Sequence, residues 1–204
     1  MRYLWVDEGN DPDWAKVTAY RINGLYFAIF DPRLNKAYVD AVKIRGYAVG
    51  LYMAWNWPQT KNLSGPQQME LMNQRLLEIM GGQANIQKSH PKVQWNNEAH
   101  DPEMIASGLE RWRQLRPNQD TSWTLEGMQG GWFSPDFVTR LLATKTRVVP
   151  QCYNGAMTKV WDSLAAARDL TKRGIPDGLI SPFYDAAHLP EYYDGFVFTM
   201  GRLP

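Results

Sequence analysis

Glu98 closes the segment Val93-Gln-Trp-Asn-Asn-Glu98 and Glu126 closes Trp123-Thr-Leu-Glu126, each directly behind a short run of strand-forming residues. Carboxylates delivered side by side from the ends of neighbouring strands meet the usual requirement for cleaving a glycosidic bond. One is held protonated and donates to the leaving oxygen, while the other stays ionised as nucleophile or base. Their separation sets the stereochemistry, about 5 Å for retention and about 6.5–9.5 Å for inversion. Asp7, near the end of Tyr3-Leu-Trp-Val-Asp-Glu8, is a third candidate for the catalytic set.

Further polar groups stand at comparable places. Glu8 follows Asp7, Asp31 follows Leu25–Phe30, Asn97 precedes Glu98, and Gln151, Tyr153 and Asn154 close Val148-Val-Pro-Gln-Cys-Tyr-Asn154. Tyr184 and Asp185 stand behind Gly178–Ser181. Grouped at one rim, these residues would bind substrate hydroxyls and support acid/base chemistry. The competing reading of any single acid at a strand end is a helix cap or an ion pair with a basic side chain.

The chain holds nine Trp, ten Tyr and seven Phe, several of them placed just behind strand-like runs. Trp55 and Trp57 follow the third run, Trp132 and Phe133 the fifth, Tyr153 the sixth, and Phe183 and Tyr184 the seventh. Flat apolar rings suit the faces of sugar rings, with amides and carboxylates taking the hydroxyls. The same rings would equally cap a barrel core or face a protein partner.

Other chemistries find no motif. His90, His100 and His188 lack ligand spacing such as HExxH, so neither a metal nor a cofactor is implied. A metal-dependent hydrolase built from the same carboxylates with His100 is a third, weaker reading. Gly127-Met-Gln-Gly-Gly131 has neither GxGxxG spacing nor a GK[ST] ending, and reads instead as a tight loop passing close to the mouth. A net charge of +1 provides no basic stripe, so no nucleic-acid partner is expected. Arg111, Arg113 and Arg116 share a helix with acidic neighbours and read as a solvated face. The lone Cys152 excludes an internal disulfide and reads as a buried thiol. No run approaches the ~20 apolar residues of a membrane span, and no signal peptide opens the chain. A soluble protein made in the cytoplasm, with no membrane partner, is expected.

To bring such residues to one rim, all strands must end on the same face, which is the geometry of a β/α barrel. Eight strand candidates alternate with helical patterns: Tyr3–Val6, Leu25–Phe30, Ala48–Ala54, Lys92–Trp95, Ser122–Leu125, Arg147–Gln151, Gly178–Ser181 and Phe196–Thr199. Helices are expected at Asp13–Arg21, Leu34–Arg45, Pro66–Met80 behind a Ser64 cap, from Asp101-Pro-Glu103 to Leu115, from Ser134-Pro-Asp136 onward, and at Thr158–Lys172. Only Asp185–Leu189 is left for a seventh, and no eighth is expected. At 204 residues, with 44% hydrophobic and 21% charged residues, the expectation is one α/β domain over 1–204: a compact (β/α)8 TIM-type barrel with reduced or missing last helices.

Trp5-Val-Asp-Glu8, the acidic end of the fourth strand and Pro150-Gln-Cys-Tyr153 on the sixth resemble the glycoside-hydrolase barrels related to phage-type muramidases. From Trp95-Asn-Asn-Glu98 through Trp123-Thr-Leu-Glu-Gly-Met-Gln-Gly-Gly-Trp132 to Val149-Pro-Gln-Cys-Tyr-Asn154, the chain also resembles barrel proteins carried as minor tail proteins by phages of actinobacteria. The likeness spans most of the chain and is diffuse. The muramidases carry Asp-x-Glu on strand four; Asn96-Asn97-Glu98 keeps the glutamate and has asparagine for the aspartate. Asn before Glu at that place is also similar to the large retaining-glycosidase clan, whose nucleophile is a glutamate on strand seven, and Ser181-Pro-Phe-Tyr-Asp185 has none.

The resemblance implies Glu98 as general acid, with Glu126 or Asp7 as the second carboxylate. It implies bacterial cell-wall polysaccharide as the glycan bound, and on the catalytic reading hydrolysed, and a place in the virion tail or at its contact with the host surface. It equally implies a non-catalytic structural or receptor-binding virion component with other tail proteins as partners.

Overall fold

Five of the described helices start where a short polar side chain caps the first turn. The computed structural model describes residues 3–6, 9, 11–126, 132–151, 163–181, 183–185 and 196–198. In chain order these form β1 (Tyr3–Val6), α1 (Trp14–Ala19), β2 (Gly24–Ala28), α2 (Lys36–Ile44), β3 (Ala48–Ala54), α3 (Gly65–Met80), α4 (Gln83–Ser89) and β4 (Lys92–Asn96). Then come α5 (Pro102–Leu115), β5 (Thr121–Glu126), α6 (Pro135–Ala143), β6 (Arg147–Gln151), α7 (Ser163–Lys172), β7 (Phe183–Asp185) and β8 (Phe196–Phe198). Asp13, Asn35, Ser64, Asp101 and Ser134 each accept from a backbone N–H of the first turn, and Ser64 with Gln67 completes a capping box. A cap of this kind contributes about 1 kcal/mol.

The sheet is parallel throughout and curls into a TIM-like barrel. β1 to β6 form its long wall, in register from Tyr3↔Gly24 round to Glu126↔Gln151. Two three-residue strands complete the ring: β7 meets β6 through Gln151↔Phe183, and β8 returns to β1 through Tyr3↔Phe196. The expected strand over Gly178–Ser181 is displaced. Asp177–Leu179 is a 3-10 turn, Ile180 makes a single bridge to Val148, and the strand begins at Phe183. Pro176-Asp177-Gly178 is turn chemistry, which outweighs the short apolar run behind it.

A helix also appears where Gly81-Gly82 was expected only to end one. Gly81 closes α3 in the left-handed region at φ 69°, Gly82 turns again at φ 107°, and α4 starts at once. Successive positive φ values come readily to glycine. The other expected elements lie within a few residues of those observed, and the portion of the expected Thr158–Lys172 helix before Ser163, like the expected reduced helix beyond Asp185, lies outside the described residues. No described helix is long and apolar enough to cross a membrane.

Alternation along the strands separates two cores. Leu25, Phe27, Leu51, Met53, Val93, Trp95, Trp123 and Leu125 face outward and pack with Met69, Met72, Leu76, Ile105, Leu109, Trp112 and Phe137 of the helices. Tyr3, Trp5, Tyr26, Ala28, Tyr52 and Val149 form the inner cluster. This lumen is aromatic where such barrels are more often filled by branched aliphatics. Glycines make room for it: a Cβ on Gly24 would lie 2.2 Å from the Tyr3 ring, and one on Gly50 2.6 Å from the Tyr26 ring. Behind β4, Gly65 and Gly108 let α3 and α5 approach closely, since a Cβ on Gly65 would sit 2.0 Å from the Met104 carbonyl oxygen.

Candidate functional site

Polar residues sit at alternate positions of β4, and that parity decides which of them reach the lumen. Gln94 is fully buried there: its Oε1 accepts from Trp5 Nε1 at 2.5 Å and its Nε2 donates to Thr124 Oγ1 at 2.6 Å. Beyond the strand end the sheet continues through Asn97 N–H donating to the Thr124 carbonyl at 3.3 Å. Glu98 has the parity of Gln94, and Gln151 Nε2 donates to its Oε1 at 2.6 Å. Gln151 is buried and Glu98 half-buried.

Glu126 is the last residue of β5 and is the register partner of Gln151. The backbone therefore brings the ends of β4, β5 and β6, with Glu98, Glu126 and Gln151, to one place on the rim. Nothing is described of the Glu126 side chain. Asp7, Glu8, Cys152, Tyr153, Asn154 and His188 lie outside the described residues, as does the glycine loop 127–131. Tyr184 and Asp185 are placed in β7 by their backbone pairing to Val197 and Phe198.

An aromatic ladder climbs from the lumen toward the loop after β3. Trp5 and Tyr52 stack at 4.5 Å with their planes 5° apart, Trp57 lies 5.5 Å from Tyr52, and Phe30 packs edge-on to Trp57 at 5.7 Å. Trp55 and Trp57 are both half-buried. Two buried residues that drew no attention in the sequence hold this loop. Thr60 Oγ1 donates to the Ala54 carbonyl at 2.7 Å, and Gln68 Nε2 donates to the Thr60 and Leu63 carbonyls while its Oε1 accepts from Trp95 Nε1 at 3.0 Å.

Two of the candidates are placed away from the lumen. Asn97 has the outward parity; its Oδ1 accepts from Ala99 N–H at 3.0 Å, its carbonyl accepts from Trp123 Nε1 at 2.9 Å, and its Nδ2 is buried without a partner among the described residues. Asp31 is 1% exposed and fully engaged: Arg33 Nη2 donates at 2.6 Å and the Gly9 and Arg33 N–H groups at 3.0 and 2.9 Å. The Arg33 hydrogen bonds outweigh the burial and hold the Asp31 carboxyl down at about 2. This carboxylate ties the loops after β1 and β2 together.

Trp132 and Phe133 pack with Trp123, Phe137 and the His100 ring in the outer layer between β5 and α6. For these two rings the core-capping reading holds. Arg116 departs from the expected solvated face, being 6% exposed at the end of α5. Its Nε donates to Asn73 Oδ1 at 2.6 Å and its Nη1 to Gln83 Oε1, because α4, absent from the expected fold, covers that end of the helix. Among the described residues, no three His, Cys, Asp or Glu side chains form a metal-holding group.

What sequence inspection missed is the polar pair of the lumen, Gln94 and Thr124, and the loop-holding pair outside the barrel wall, Gln68 and Thr60. The signal for Gln94 was available in the alternation Val93-Gln94-Trp95-Asn96.

No protein-family model matches the chain, and no curated protein matches its sequence. Solved structures do. The Ignisphaera aggregans GH53 catalytic domain superposes with a TM-score of 0.51 at 13% identity, covering 89% of this chain and 62% of that one. The chain thus spans under two thirds of that domain's length. A chitinase from Ipomoea carnea, ICChI, superposes with a TM-score of 0.50 at 14% identity, covering 96% of this chain and 93% of that one. The chain shares the TIM-barrel fold of these two structures.

Proposed function

We propose that this barrel binds bacterial cell-wall polysaccharide at its C-terminal mouth and hydrolyses it with paired carboxylates, as a phage tail-associated protein. The observation that carries the reading is the placement of Glu98 on the lumen side of β4, held by Gln151 near the aromatic ladder of Trp5, Tyr52 and Trp57. Gln151 fixes the orientation of the carboxyl group, which a proton donor to a glycosidic oxygen needs.

In this mechanism Glu98 gives its proton to the leaving oxygen as the glycosidic C–O bond breaks. Glu126, or Asp7, either attacks the sugar carbon to form an ester that water later cleaves, or removes a proton from the attacking water. Trp55 and Trp57 would stack on sugar faces, while Gln151, Tyr153, Asn154, Tyr184, Asp185 and Glu8 would take hydroxyls. Asp31 and Asn97 would support the rim from behind. No metal or cofactor enters this mechanism. The phage assignment rests on the sequence resemblance, and the glycan on that resemblance together with the lumen aromatics.

The test is release of reducing sugar from purified actinobacterial cell wall by the native chain, Glu98→Gln and Glu126→Gln, with binding to the wall measured alongside. Turnover in the native chain that is lost in either variant supports the mechanism. Turnover retained by Glu98→Gln sinks the assignment of the acid.

The second reading is a non-catalytic structural or receptor-binding virion component. It is favoured by Asn96-Asn97 standing where an aspartate would precede Glu98, and by the absence of a glutamate from Ser181-Pro-Phe-Tyr-Asp185. Wall binding without cleavage in all three proteins, with assembly into a defined ring or onto a tail protein, would establish it.

A further inference from the structure

Arg116 is the most deeply buried arginine among the described residues, and no carboxylate accompanies it. Arg33, Arg111, Arg140 and Arg173 each pair with an acid. The acceptors around Arg116 are neutral amide oxygens, those of Asn73 and Gln83. A guanidinium keeps its proton at any ordinary pH, so burial without a counter-charge is costly unless an anion is supplied. Desolvation accordingly lowers its pKa from the usual value, with no neighbouring charge acting against it.

The same residue lines a cavity of about 210 Å³. Gln83, Gln87, His90, Asn118 and Gln119 share the wall, and no acidic residue lines it. The Nη2 group of Arg116 donates to no described residue, although Nε and Nη1 are both engaged. Asp120, the nearest acid in sequence, is paired with Lys92 at 3.0 Å. The cavity lies between α4 and the loop from α5 into β5, at the N-terminal ends of β4 and β5. It is on the opposite face of the barrel from Glu98.

We propose that this cavity is an oxyanion site, in which the unpaired edge of Arg116 receives a phosphate or carboxylate group and the surrounding amides complete its hydrogen bonds. A guanidinium edge presents two parallel N–H groups matched to two oxygens of such a group. The site is distinct from the C-terminal mouth and does not depend on the chain having glycosidase activity.

The experiment is a thermal-melting titration of the full chain with inorganic phosphate and, separately, with acetate, each against sodium chloride at matched ionic strength. The native chain should show a saturable rise in Tm with at least one of the two anions; phosphate alone, acetate alone or both identifies the group preferred. Because Arg116→Gln removes buried hydrogen bonds and lowers stability by itself, the deciding variant is Asn118→Asp. It leaves Arg116 in place and adds a carboxylate to the exposed wall of the cavity, so anion binding should weaken at least tenfold. No saturable rise with either anion in the native chain overturns the proposal, as does an undiminished response in Asn118→Asp.

Discussion

Gln151 Nε2 donates to Glu98 Oε1 at 2.6 Å, so a side chain from β6 reaches over the intervening β5 to hold the residue just beyond the end of β4. The strand it spans ends in Glu126, the register partner of Gln151. One hydrogen bond therefore orients one carboxyl and brackets the position from which a second is delivered.

Replacing Gln151 by Ala should leave the barrel folded and free Glu98 to rotate. A hydrogen bond to the protonated, neutral carboxyl contributes about 0.5–1.5 kcal/mol, so turnover on cell wall should fall by about 2- to 10-fold with wall affinity little changed. Parallel kcat and binding measurements read this directly. Equal losses in both would point to a substrate contact by Gln151 instead.

Trp57→Ala should act on binding. The ring lies between Tyr52, 5.5 Å away, and Phe30 in the ladder and is half-buried. Its loss should weaken wall binding by about tenfold, the equivalent of about 1.4 kcal/mol, in a pull-down with insoluble wall. Unchanged affinity would return this ring to a purely structural role.

Asp31 makes an acid-stability prediction. Its folded pKa of about 2 lies below the ordinary carboxylate value of 3.8, so its stabilisation is fully present above that value and is lost as pH falls toward about 2. The shift corresponds to about 2 kcal/mol. Urea unfolding followed from pH 5 to pH 2 should show this loss in the native chain and a flatter profile in Asp31→Asn. At pH 7 that variant should be less stable by about 2 kcal/mol, because the carboxylate that accepts from Arg33 Nε and Nη2 is lost. Parallel profiles in the two proteins would remove Asp31 as the cause.

Gly65→Ala addresses the support behind β4. The added methyl would meet the Met104 backbone carbonyl at 2.0 Å, and backbone cannot swing aside as a side-chain tip can. The α3 and α5 helices must separate, at a cost of about 3 kcal/mol in chemical denaturation. Trp95, which packs between β4 and Gly108, should show the change in its fluorescence. A loss below about 0.5 kcal/mol would mean that the helices already stand further apart.

Local chemistry made much of the architecture legible. Ser64, Asp101 and Ser134 announced their helices because a cap acts on N–H groups two or three residues away. Strands β3 and β6 were bounded to the residue by apolar runs between turn formers. The displaced seventh strand and the unexpected α4 arose where glycine and proline turns competed with weak periodicity.

The residue types available for chemistry at the strand ends, Glu98, Glu126 and Gln151 among them, were determined by the sequence alone, as was the parity that separates Glu98 from Asn97, since side chains alternate along any strand. Only the tertiary structure decided which of the candidates meet. Asp31 and Glu98 look alike in sequence, each an acid behind a strand. The first is claimed by Arg33 and the Gly9 N–H, and the second by Gln151, 53 residues further along the chain. Such partners are fixed by sheet register and barrel closure, which depend on every strand at once and leave no mark on the spacing around any one of them.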